Sequence, residues 1–144
     1  MTMRLRAVSI GLFAALAVAA CDTPAGGPIK HDELERGVLS LSNTAASGQL
    51  LTVGVIQDRT KTTFVRVNAR DLSDEATHEA EKLQDAEANP DLRAAKKQAV
   101  TIAEQIADAL GELQVAPKDP LIARDVGKRL TTLEHRATQL AARI

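Results

Sequence analysis

Glu75-Ala-Thr-His78 is the stretch of this 144-residue chain with the most obvious capacity for chemistry. A carboxylate and an imidazole three residues apart stand on one helix face, and helical bundles hold di-iron and di-manganese pairs with that spacing. Glu134-His135 near the C-terminus and His31 near the N-terminal third complete the histidines. A metal pair needs these groups to point into a core and needs a second Glu-x-x-His, which the sequence lacks. At about 100° per residue, His78 falls on the order of 150° from the middle of the apolar stripe that includes Val65 and Leu83, and His135 falls about as far from its own. Both are expected to face solvent, as are Glu75, Glu104 and Asp108, so no metal site is expected. Neither is a cofactor, since there is no Cys-x-x-Cys-His for a covalent haem and the glycines form no phosphate-cradling loop.

Nucleophilic catalysis finds no better footing. The serines Ser40, Ser42, Ser47 and Ser73 sit in no Gly-x-Ser-x-Gly elbow and beside no suitably placed histidine. Acids such as Asp74, Glu75, Glu79 and Glu81 read as the solvated face of a helix. The chain is therefore expected not to be an enzyme.

The elements that would position any of these residues are helical. Asp119-Pro120 is an N-cap followed by proline at the first helical position, and Ile122, Val126, Leu130, Leu133, Ala137, Leu140 and Ile144 then recur at steps of three and four. Before it, Asn89-Pro90 and Asp91 open a second such stretch, with Leu92, Ala95, Ala99, Ile102, Ile106, Ala109 and Leu113 on one face and Pro117 as its stop. Gly111 weakens its last turns by up to about 1 kcal/mol. Upstream, Val65, Ala69, Leu72, Ala76, Ala80 and Leu83 predict a helix from about Thr63, as N-cap, to Ala88. Leu34, Val38, Leu41, Ala45, Gly48, Thr52 and Val55 step the same way on the first stretch.

A competing pattern overlaps the first two stretches. Leu51-Thr-Val-Gly-Val-Ile56 and Thr62-Thr-Phe-Val-Arg-Val67 are rich in β-branched residues. They allow a hairpin of residues 50–57 and 62–68 followed by three helices. An isolated hairpin is marginal in water, and the seven-residue spacing runs unbroken through Gly48 and Thr52. The expected fold is therefore all-α, an up-down four-helix bundle, with the hairpin as the alternative.

Cys21 is the only cysteine, and its surroundings say what it is for. Arg4 and Arg6 precede an apolar run from Ala7 to Ala20, too short to span a bilayer, and Val18-Ala19-Ala20 leads into Cys21. This arrangement resembles the lipobox of bacterial lipoproteins over roughly the first 22 residues. The resemblance implies a signal peptide of residues 1–20, cleavage between Ala20 and Cys21, a diacylglyceryl group on the Cys21 thiol and acylation of the new amino terminus. It implies an extracytoplasmic domain held on the cell membrane by lipid. Asp22 resembles the residue that retains such proteins in the inner membrane of enteric bacteria, or else it simply begins a linker.

Residues 21–30, with Pro24, Gly26, Gly27 and Pro28, then read as a lipidated cysteine and flexible tether, and residues 31–144 as the bundle domain. Removing Arg4 and Arg6 from the 18 basic residues leaves 16 against 19 acidic ones, a net charge of −3. That balance argues against a nucleic-acid partner. With no Trp or Tyr, and with Phe64 as the only phenylalanine after Phe13, the chain is poorly equipped to build aromatic ligand platforms. The expectation is a non-enzymatic envelope lipoprotein that binds another envelope protein or serves an assembly, and Leu39, Leu50 and Val53 lie off the main stripe as a contact patch. The alternative is a bundle that binds a small ligand or a metal.

Overall fold

The computed structural model describes residues 27–144, which form four helices in the order α1 (His31–Ile56), α2 (Thr62–Asp85), α3 (Arg93–Val115) and α4 (Pro120–Ala141). They pack as an up-down four-helix bundle. Residues 50–56 lie in α1 and residues 62–68 in α2, so the hairpin does not form. The seven-residue spacing prevails over β propensity here because a helix buries every member of the row: Leu34, Val38, Leu41, Ala45, Gly48, Thr52 and Val55 are all in the core.

Each helix end has a local cause. At the start of α1 the Lys30 amide donates to the Glu33 carboxylate at 3.1 Å, and Asp32 and Glu33 sit in the first turn, where the dipole favours acid. The far end of α1 closes with the Arg59 amide on the Gly54 carbonyl and the Asp58 amide on that of Val55, at 3.0 and 3.1 Å. This paired closure needs a left-handed residue, and Asp58 supplies it at φ 51°. Helix α4 opens as its sequence predicts, with Asp119 Oδ1 accepting from the Leu121 and Ile122 amides at 2.8 and 3.2 Å.

Two starts differ from expectation. Helix α2 begins at Thr62 after Lys61 instead of being capped by Thr63, and α3 begins at Arg93, because Asn89 to Leu92 form a turn that buries Leu92. Helix α3 also continues past Gly111 to Val115, held by the burial of Leu110 and Leu113. The packed domain reaches back before residue 31 as well. Ile29 is buried, bridges to Ala88 in the α2–α3 connection and donates its amide to the Glu87 carbonyl at 2.7 Å.

The bundle consists of two intimate pairs. Helices α2 and α3 pack closely and bury small residues, Ala69, Ala76 and Ala80 on one and Ala99 and Ala103 on the other, and Ser73 Oγ donates across to the Ala107 carbonyl at 3.0 Å. Helices α1 and α4 meet equally closely. A methyl group at Gly48 would stand 2.8 Å from both Leu110 Cδ2 and Leu130 Cδ1, and one at Gly127 would stand 2.9 Å from Thr52 Oγ1. Between the pairs lie Leu41, Leu83, Ile102, Ile106, Leu110, Leu113 and Leu130, all fully buried. Two threonines buried among the described residues donate their hydroxyls to carbonyls of their own helix, Thr44 to Ser40 and Thr52 to Gln49, at 3.0 and 2.7 Å.

Candidate interaction surface

The groups first considered for chemistry do not come together. Glu75 and His78 are exposed on α2, His135 is exposed on α4, and Glu104 and Asp108 are exposed on α3, as their helical phases predict. Among the described residues no three of His, Cys, Asp and Glu stand close enough to hold a metal ion. His31 meets Asp91 at 3.5 Å with both side chains well exposed, a contact worth little in water. Ala20, Cys21 and Asp22 lie outside the described residues.

The core is aliphatic, and two grooves lie between helices at the surface. A groove of about 390 Å³ runs between α3 and α4 over Leu133. Its two cations are engaged by its own wall: Arg129 reaches Glu112 at 2.9 Å, and Arg136 reaches Gln105 at 2.8 Å. Asp125, four residues before Arg129 and the pairing visible in sequence, stands farther off at 3.6 Å. A second groove of about 520 Å³ lies between α1 and α2 at the tether end, around Gly37, where the Glu79 carboxylate packs against the glycine. Glu79 is held there by Lys82 at 3.3 Å. These ion pairs tie the rims of the grooves to the bundle itself.

What is left uncovered is apolar and unevenly distributed. Among the described residues seven large apolar side chains are exposed: Leu39, Leu50, Val53, Phe64, Val67, Val115 and Leu121. Six of these belong to the last two turns of α1, the first two turns of α2, the last turn of α3 and the first turn of α4. In an up-down bundle those four termini share one end, opposite the end where Ile29 brings the chain in. Leu50, Val115 and Leu121 are 75%, 84% and 71% exposed there.

Leu39 extends this surface along the outside of α1. With Asn43, Ala46, Leu50 and Val53 it forms a row that again alternates four and three, on the side of the helix away from the core. Leu39, Leu50 and Val53 were legible as off-stripe residues. Nothing in the sequence groups Phe64, Val67, Val115 and Leu121 with them, since their common location depends on which helix ends meet.

No protein-family model, curated protein or solved structure matches the chain. No helix among the described residues is long and apolar enough to cross a membrane.

Proposed function

We propose that this chain is a lipid-anchored lipoprotein on the extracytoplasmic face of the cell membrane, and that its helical bundle acts without catalysis, by binding protein. The observation that carries the binding role is the uncovered row on α1 together with the apolar end it leads to. A soluble domain gains nothing from exposing Leu50, Phe64, Val115 and Leu121 around one end, and apolar surfaces of this kind mark contact sites.

The anchor rests on the sequence from Arg4 to Cys21. Two or more acyl chains, at about 0.8 kcal/mol per buried methylene, make attachment effectively permanent. Because Ile29 packs in the domain, only residues 22–28 remain as tether. At about 5–6 Å times the square root of length, they hold the bundle roughly 15 Å from the bilayer. The retention role of Asp22 belongs to the same proposal and places the protein in the inner membrane of a host with two membranes.

Two measurements test this reading. Cys21→Ser is expected to abolish incorporation of labelled fatty acid and to move the protein from the detergent-extracted fraction to the soluble one. A variant that still needs detergent refutes the anchor. Photo-cross-linkers at Leu50 and Leu121 in native membranes are expected to trap protein adducts far more often than one at Glu75, and equal yields refute the contact surface.

A further inference from the structure

We propose that Ile29 is a latch: it holds shut the end of the bundle at which the α1–α4 pair and the α2–α3 pair have no covalent link, and its release opens the bundle there. The latch goes beyond the protein-binding reading and does not depend on it, since it needs neither the anchor nor a partner.

The two helix pairs are joined to each other twice, by residues 57–61 between α1 and α2 and by residues 116–119 between α3 and α4. In an up-down bundle both connections lie at the same end. The third connection, residues 86–92, lies at the opposite end but joins α2 to α3 inside one pair. The pairs are therefore hinged at one end and free at the other.

Within each pair the helices are tied by side chains. Ser42 meets Thr138 at 3.1 Å and Gln49 meets Glu134 at 3.5 Å between α1 and α4, while Ser73 reaches the Ala107 carbonyl and Gln84 reaches Glu104, both at 3.0 Å, between α2 and α3. The larger grooves run between the pairs, about 390 Å³ along α3–α4 and about 520 Å³ along α1–α2, against about 250 Å³ for one between α2 and α3. Across α3–α4 the surface contacts of Arg129 with Glu112 and Arg136 with Gln105 bridge the gap. Across α1–α2 there is less. Between residues 27–56 and residues 62–92, the Ile29 amide on the Glu87 carbonyl, at 2.7 Å, is the only hydrogen bond among the described residues.

Ile29 stands where a clasp is needed. It precedes α1 and so belongs to the α1–α4 pair, yet it is buried and bridges to Ala88, in the connection of the α2–α3 pair. One side chain and one amide thus span the free end. Other contacts near that end hold less firmly: His31 and Asp91 are well exposed, and the Glu79 carboxylate packs on Gly37, which has no side chain to grip it. Ile29 itself lies outside any helix, between the exposed residues Pro28 and Lys30, and a segment with so few ties opens at lower cost than the helices it joins. Its release widens the groove around Gly37, which Ile29 lines, and lets water reach Leu83, which packs beside that glycine.

Leu83 and Leu113 make a matched probe. Each is fully buried and stands two residues before the end of its helix, Leu83 at the free end and Leu113 at the hinged end. Leu83→Cys and Leu113→Cys are introduced separately into the full chain and labelled with a maleimide, the unsubstituted chain giving the background from Cys21. Leu83→Cys is expected to label at least tenfold faster, and equal rates overturn the free end. Adding Ile29→Gly is expected to raise the Leu83→Cys rate at least tenfold again while leaving Leu113→Cys within twofold, and Ile29→Val to stay close to the parent. Equal acceleration at both positions makes Ile29 an ordinary core residue and overturns the latch, as does acceleration at neither. Hydrogen exchange of the unsubstituted chain makes the same comparison with the core intact: residues 80–85 are expected to exchange at least tenfold faster than residues 110–115, and equal protection overturns the proposal.

Discussion

The inner and outer rows of α1 come from the same uncharged stretch and differ in what meets them. Leu34, Val38, Leu41, Ala45, Gly48, Thr52 and Val55 face three other helices and are buried. Leu39, Asn43, Ala46, Leu50 and Val53, offset from them by about half a turn, face outward. Both rows have heptad spacing, so periodicity alone does not separate core from surface on this helix. Residue size separates them better. The inner row carries Gly48 where α3 and α4 press in with Leu110 and Leu130. Ala46 is the smallest residue of the outer row.

That difference can be broken from either side. The largest effect is expected at the inner row: Leu41→Asp places an unpaired charge among fully buried side chains, and the domain is expected to lose its helical circular dichroism or its cooperative urea transition. Gly48→Ala asks a subtler question, since its methyl must displace both Leu110 and Leu130. A loss of about 1–3 kcal/mol in urea unfolding is expected, typical of overpacking. Leu50→Asp, the same chemistry as Leu41→Asp moved to the outer row, is expected to change stability by no more than about 0.5 kcal/mol. A Leu50→Asp domain that unfolds like Leu41→Asp would erase the distinction between the rows.

The other helix pair shows why parts of the fold were harder to read. Alanine fills six of the thirteen positions in the α2 and α3 stripes, and it marks a face only weakly. Ala103 and Leu110 are fully buried although neither belongs to the row Leu92 to Leu113, because α3 is approached by α1 as well as by its neighbours α2 and α4. The end of α2 is likewise completed from elsewhere: Lys96 of α3 donates to the carbonyls of Gln84 and Ala86 at 3.1 and 2.5 Å, closing a helix whose own sequence has no glycine stop. The candidate surface divides in the same way. Its α1 row is visible as apolar residues off phase, and Phe64, Val67, Val115 and Leu121 join it only when four helix ends are brought together.

The sequence by itself determined the two C-terminal helices and their apolar faces, where α4 starts, and that Glu75, His78 and His135 point away from the core. These follow from periods and caps, which act over a few residues and need no partner. Only the tertiary structure decided that residues 50–56 and 62–68 are helical, that Ile29 belongs to the domain, that α1 pairs with α4 and α2 with α3, and that Arg129 binds Glu112 more closely than Asp125. Each of these depends on which surfaces meet over long separations in the chain, where close approach at Gly48, Gly127 and the alanines outweighs the preferences of single segments.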